Sequence, residues 1–329
     1  MKFNKSIMLG LCASVLLSFE ATHASELTEA HRKQPVKQVL LPKINLEDFD
    51  LAVMKDVLMN CGTFELVGPS ADSLRELRQR AMAKQKIVLN LPIEILEQVT
   101  HKKGSLETIF NGFQNLEAES IASYDKAIAE GREPLDRLTQ IALHRKPHQE
   151  KFSPGGIDIS EYDDYYYASL AVLKRLYFTI AEHFIPKENW SDLENDKQSA
   201  LSSRKYYEKA GDGVLKGWTG IRAHSDHGLL TMVVSDKPGL EALYNQDWIS
   251  APSGLEHVII NVGDWLSKDT NIPFKAGVHR VLPIKGERYS LATFLNPKFT
   301  EKRMTPSGMM ATFEEYLKDR NKYLAVSTK

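Results

Sequence analysis

The chain has little with which to cross-link itself, to hold a membrane or to attract a polyanion. It carries two cysteines in 329 residues, Cys12 and Cys61. Cys12 falls in a leader segment, so Cys61 remains alone and no intramolecular disulfide is expected; a chain of roughly 300 residues buries enough core without one. Basic and acidic side chains balance at 42 against 43, which gives no electrostatic reason to expect nucleic acid or an anionic membrane surface as a partner. The basic run His31-Arg32-Lys33-Gln34-Pro35-Val36-Lys37 is local and reads as a solvated lead-in. Internal repeats and low-complexity tracts are absent. The apolar run Ile7 to Phe19 is shorter than the roughly 20 residues a transmembrane helix needs, so no stable membrane span is expected.

That run has another reading. Lys2 and Lys5 precede it and Thr22-His23-Ala24-Ser25 follows it, the layout of a secretory signal peptide with cleavage after Ala24. Export to a periplasmic or secreted location is the expectation. Leu11, before Cys12, is not the small residue a lipoprotein site requires, so no lipid anchor is expected.

Chemistry concentrates between Trp218 and Pro297. His224-Ser225-Asp226 comes first, His279 follows within Gly277-Val278-His279-Arg280-Val281, and Arg288-Tyr289-Ser290 comes last. Two imidazoles and one carboxylate can hold a non-haem iron(II) ion on one face and leave the other open to reactants. The intervening segments read as strands. Side chains alternate along a strand, so His224 and Asp226 share a side, as do Arg288 and Ser290. Leu282 to Glu287 reads as a strand end and a turn that returns the chain antiparallel into Arg288–Leu295, which sets Arg288 deeper than His279 in a common cavity. An arginine fork with a hydroxyl two positions on suits a carboxylate-bearing cosubstrate, and lysine would serve poorly there. Taken singly, each motif is common, and Arg-x-Ser also reads as a solvated sheet edge. Their order on strand-like segments with Gly-Asp punctuation makes the pattern specific.

The same residues carry a family likeness. His224-Ser225-Asp226-His227-Gly228-Leu229-Leu230-Thr231, Asp247-Trp248-Ile249, Asn261-Val262-Gly263-Asp264, His279-Arg280-Val281, Glu287-Arg288-Tyr289-Ser290 and Phe294-Leu295-Asn296-Pro297 resemble the isopenicillin N synthase-like branch of the iron(II)/2-oxoglutarate oxygenases. The resemblance implies an α+β, mainly β fold: a double-stranded β-helix, or jelly-roll, flanked by helices from the N-terminal half. It implies iron held by His224, Asp226 and His279, and the distal carboxylate of 2-oxoglutarate held by Arg288 and Ser290. Relatives often place a Tyr-Pro pair just before the triplet and use the tyrosine on the cosubstrate. Here Tyr206-Tyr207-Glu208 stands instead, so both tyrosines are candidates. Dioxygen would be the oxidant and ascorbate a possible reductant.

Upstream, residues 39–46 read as a strand, 47–60 as a helix, 62–67 as a strand and 71–86 as a helix, an order also similar to that branch. Residues 120–130, 132–144 and 162–184 show helix-like apolar spacing, the last with Leu170, Leu173, Leu176, Tyr177 and Ile180 as a stripe against a sheet. Tyr162, Tyr165, Tyr166 and Tyr167 could wall a substrate site; packing against the barrel is the favoured reading. His227 is expected beside the site without ligating, His257 as a strand-entry residue, and Asp264 as a turn pin. Trp218 could line the pocket or close the barrel mouth. The expected organisation is a signal peptide over 1–24, an N-terminal region with helical support over 25–200, the jelly-roll core over 201–300, and a C-terminal helix and tail over 301–329. The expected activity is hydroxylation or desaturation of a small molecule. Two rivals stand: an oxidase of the same fold that uses no 2-oxo acid, and a jelly-roll that binds metal or ligand without turnover. Oligomeric state is not legible.

Overall fold

The computed structural model describes residues 40–99, 112–115, 140–145, 153–193, 198–206, 221–268, 274–282, 286–304 and 310–318. The signal-peptide reading over 1–24, the helical reading over 120–130, Tyr207 and Trp218 lie outside them.

The chain enters through strand β1 (Lys43–Asn45) and helix α1 (Leu51–Asn60). The helix starts four residues later than its apolar spacing predicts, because Asp50 caps it: its carboxylate accepts from the N–H groups of Ala52 at 2.9 Å and Val53 at 3.0 Å. Strand β2 (Thr63–Val67) follows and pairs parallel with β1. The single helix expected over 71–86 is two, α2 (Pro69–Asp72) and α3 (Arg75–Val88), with buried Leu74 at the break. The short helix α4 (Ile93–Glu97) and strand β3 (Gly112–Asn115) come next. Strand β4 (Gln140–Arg145) corrects the helical reading of 132–144 over 140–144, while 132–139 lie outside the described residues. Its Ile141-Ala142-Leu143 run suits either element, and the open edge of the sheet decides it by pairing β4 with its neighbours on both sides.

Helix α5 (Ser160–Phe184) is the longest element. Its stripe Leu170, Leu173, Leu176, Tyr177 and Ile180 is buried, as the spacing predicts. The tyrosine cluster at its start divides: Tyr162, Tyr165 and Tyr166 are buried against the sheet, while Tyr167 is 46% exposed. The packing reading is therefore the observed one, with the Tyr162 hydroxyl 3.1 Å from Ser203 Oγ.

The remaining strands are β5 (Ala200–Tyr206), β6 (Ile221–His224), β7 (Leu230–Ser235), β8 (Leu240–Tyr244), β9 (Asp247–Ser250), β10 (Val258–Val262), β11 (His279–Val281), β12 (Arg288–Leu295), β13 (Lys302–Met304) and β14 (Met310–Thr312). They form an eight-stranded sheet, β1-β2-β10-β7-β12-β5-β4-β3, and a four-stranded sheet, β6-β11-β8-β9, while β13 and β14 pair on their own. This is the jelly-roll core. The large sheet takes four strands from the region before residue 200, so the barrel is not confined to 201–300, and the segment after 301 begins with a strand pair before a helical stretch at 313–318.

Strand β12 shows how the layers are made. Almost every residue in it is buried, which requires cover on both faces. Helix α5 covers one, where Ser169 Oγ meets Thr293 Oγ1 at 2.9 Å. The small sheet faces the other, where Arg288, Ser290, Ala292 and Phe294 line a cavity. Pairing also corrects the expected hairpin through 282–287: β11 lies in the small sheet between β6 and β8, and β12 in the large one between β5 and β7. The two strands therefore form no ladder with each other. Among the described residues, no helix is long and apolar enough to cross a membrane.

One close approach is made at the end of the β7–β10 ladder. A Cβ on Gly263 would sit 2.1 Å from the carbonyl oxygen of Gly228, so only glycine lets the end of β10 meet the segment before β7. Gly263→Ala is therefore expected to cost ~1–3 kcal/mol, the usual range for overpacking. Urea unfolding would read this as a lower midpoint at constant slope; an unchanged midpoint would mean that the loop yields to a methyl group.

Candidate metal centre

Cross-strand pairing brings the two histidines together. His279 on β11 is directly opposite His224 on β6, and neighbours so placed have Cβ atoms roughly 5 Å apart. Their ring centroids are 4.3 Å apart. Asp226 arrives differently from the expected i, i+2 alternation: β6 ends at His224, and Asp226 lies in the link to β7. That link is fixed by the turn after β10, whose N–H groups donate from Asp264 to Asp226 O at 2.8 Å and from Gly263 to Leu229 O at 2.9 Å. Asp264 contributes its backbone N–H to this link, and its carboxylate accepts from the Tyr316 hydroxyl at 2.6 Å.

Ligand atoms of His224, Asp226 and His279 all lie within 4.8 Å of one another, the one such group among the described residues. His279 Nε2 is 3.9 Å from Asp226 Oδ2, a spacing compatible with one ion about 2 Å from each donor. The Nδ1–H of His279 donates to the Gly277 carbonyl at 2.9 Å, which selects the tautomer with its Nε2 lone pair free. Asp226 Oδ2 is buried with no hydrogen-bond partner. Burial pushes the Asp226 carboxyl up, but the neighbouring His279 and His224, the Thr231 hydroxyl and Arg204 outweigh it and hold it below the ordinary carboxylate range. The group stays anionic. A buried, unpartnered carboxylate oxygen between two imidazoles fits a divalent cation.

Across the cavity stands Arg288, 1% exposed. Its Nε donates to the Lys237 carbonyl at 3.2 Å, while both terminal nitrogens are buried without an acceptor. Its guanidinium lies 4.9 Å from the Tyr206 ring centroid, and Tyr206 is the register partner of Arg288. Burial works against the charge of Arg288 and places its pKa below its ordinary value, opposed by Tyr206 and Asp236. For Tyr206 burial acts upward, but the guanidiniums of Arg204 and Arg288 prevail and lower its pKa. Two parallel N–H donors left bare in a buried wall, with Ser290 beside them, fit a carboxylate. The cavity, about 390 Å³ and partly open to solvent, is lined by both sets of residues.

The spacing therefore brings together His224, Asp226, His279, Arg288, Ser290 and Tyr206. His227 packs edge-on to Tyr316 at 6.2 Å and is not in the ligand group; His257 enters β10 with Nδ1 2.6 Å from Glu65. Sequence reasoning passed over three residues. Thr231 hydrogen-bonds the Asp226 carboxylate. Gln85 on α3 donates to the carbonyls of Arg204 and Ser290, both at 2.9 Å, and nothing in a helical pattern signals that reach. Arg204 lines the cavity, and its position two residues before Tyr206 on one strand was the available signal.

A jelly-roll with two imidazoles, a carboxylate and a buried arginine facing one cavity defines a non-haem metal oxygenase scaffold. Residues 198–297 match the model of the 2OG-Fe(II) oxygenase superfamily. Over 81 residues the chain is 41% identical to 1-aminocyclopropane-1-carboxylate oxidase 3 of Arabidopsis thaliana, a match that covers 24% of this chain and 25% of that enzyme. The matched part is thus about a quarter of that curated relative's length. The fold is similar to that of a full-length Neurospora crassa protein in complex with alpha-KG, with a TM-score of 0.66 and 18% identity over 87% of this chain and 97% of that one. It is also similar to JOX2 in complex with 2OG, Fe and JA, with a TM-score of 0.63 and 19% identity over 86% of each chain.

Proposed function

We propose that the protein is an iron(II)- and 2-oxoglutarate-dependent oxygenase that hydroxylates or desaturates a small molecule. The observation that carries this is Arg288, a buried guanidinium with two unpartnered terminal nitrogens on the wall facing the His224, Asp226 and His279 cluster. Such a group burdens the fold and serves a ligand, since an unpaired buried charge is costly unless a counter-ion arrives. When bound, iron(II), dioxygen and 2-oxoglutarate would supply the oxidising power, with succinate and carbon dioxide as by-products and ascorbate as an auxiliary reductant.

The protein's own work is orientation. His224, Asp226 and His279 would hold the metal from one side. Arg288 would grip the distal carboxylate by two parallel hydrogen bonds with Ser290 adding a third, and Tyr206 would close that end. The apolar lining, Val233, Leu240 and Val281 among it, would exclude water and strengthen each of these polar contacts. The test is succinate formation by the purified full chain with iron(II), ascorbate, air and 2-oxoglutarate, since slow uncoupled turnover requires no known substrate. Succinate that depends on added iron supports the reading, and its absence from metal-loaded protein counts against it.

A second reading is an iron-dependent oxidase of this fold that uses no 2-oxo acid. The likeness to an oxidase over 81 residues favours it; it would show dioxygen uptake without succinate. We also propose, from the first 24 residues alone, that the protein is exported and cleaved after Ala24. A mature chain whose mass begins at any other residue would overturn that.

A further inference from the structure

The cavity holds one cation more than the proposed reactants use. On the oxygenase reading, that surplus bears on the substrate class of the same site. A divalent metal with Asp226 and two neutral imidazoles carries one net positive charge, and Arg288 adds another. The two negative charges of 2-oxoglutarate cancel both. Arg204 is the surplus.

Its placement is specific. Arg204 lies on β5 opposite Ser290, on the same face as Tyr206, and it lines the cavity with the metal cluster and Arg288. Its Nε donates to Ser202 Oγ at 3.0 Å, and the Tyr206 hydroxyl is also within its reach. Both partners are hydroxyls, and neither cancels its charge. Its register partner Ser290 lies one same-face step along β12 from Arg288 toward Phe294, the register partner of Thr231, so Arg204 stands nearer than Arg288 to the Asp226 end of the cavity. Among the described residues, no carboxylate is shown in an ion pair with Arg204. An arginine serving only the fold would be expected to meet a carboxylate or backbone carbonyls, as buried Arg303 does with Glu301 and the carbonyl of Trp265.

We propose that Arg204 anchors an anionic group, a carboxylate in the simplest case, on the small molecule this enzyme oxidises. The anion would sit on the metal-facing side of the cosubstrate pocket, where it neutralises the remaining charge and places the rest of the substrate over the metal. Neutral analogues lacking that group would then bind poorly, since an uncompensated guanidinium would remain in a partly desolvated wall.

The test needs no substrate. The full-length protein is loaded with manganese(II) and N-oxalylglycine, the unreactive analogue of 2-oxoglutarate, and ¹³C-acetate is titrated as a minimal monoanion while paramagnetic relaxation of its carbon signals is followed. The expected result is saturable binding by the parent and by Arg204→Lys, with a loss of about tenfold or more in Arg204→Gln, the size of one charge-assisted hydrogen bond. The loss for N-oxalylglycine should be clearly smaller. Acetate that fails to bind the parent, or binds Arg204→Gln equally well, overturns the proposal. So does an equal loss for N-oxalylglycine, which would assign Arg204 to the cosubstrate, directly or through Tyr206. Failure of manganese(II) or N-oxalylglycine to bind the parent would sink the oxygenase reading itself, a result distinguishable from the others.

Discussion

Asp226→Ala is expected to leave the fold intact and to abolish iron(II) binding. Asp226 is the sole anion in the cluster, and its Oδ2 is buried with no partner. Two neutral imidazoles would remain, with neither the charge nor the third donor that a facial site requires. The loss should exceed the roughly 10–100-fold that follows removal of an outer partner of a metal ligand. Metal content after dialysis against iron(II), together with the thermal transition of the metal-free protein, checks both halves of the expectation. A variant that folds and binds iron as tightly as the parent would overturn the assignment of the triad.

Arg288→Met is expected to separate stability from binding. In the metal-free protein Arg288 is fully desolvated, and its terminal nitrogens gain no hydrogen bond in return. Replacing such a charge with an apolar side chain of similar length is typically neutral or stabilising. The affinity for 2-oxoglutarate should fall sharply, because truncating one partner of a buried, hydrogen-bonded charge pair costs about 2–5 kcal/mol, or roughly 30-fold to several thousand-fold. Titration of 2-oxoglutarate into manganese-loaded parent and variant measures the second effect, and chemical denaturation of the metal-free proteins the first. An unchanged dissociation constant would remove Arg288 from the cosubstrate site. A large loss of stability would mean that its carbonyl contact with Lys237 matters more than its desolvation.

Both predictions concern residues that were visible before any fold was known, and the manner in which each became visible differs. Arg288 and Ser290 are read by strand alternation alone, and β12 obeys it. Asp226 was assigned by the same rule, yet it lies beyond the end of β6 and reaches the metal cluster through a link held by Gly263 and Asp264. Strand alternation is therefore not what places Asp226 beside the two histidines. The tyrosines of α5 were legible as packing because aromatic residues at helical spacing next to leucines bury readily. The strand at 140–145 was not, since its short apolar run fits two periods and only the open edge of β5 decides between them.

The sequence by itself determined the composition of the site: two imidazoles, a carboxylate, an arginine and a serine, in an order and at spacings that specify a period-2 core. These are one-dimensional properties, because ligand type and strand alternation are local. Only the tertiary structure decided that β11 and β12 enter opposite sheets, that His224 and His279 stand as a cross-strand pair, and that Arg204 lines the cavity. Strand pairing and the facing of two sheets depend on which distant edges are free and which faces need cover. No window of neighbouring residues contains that information.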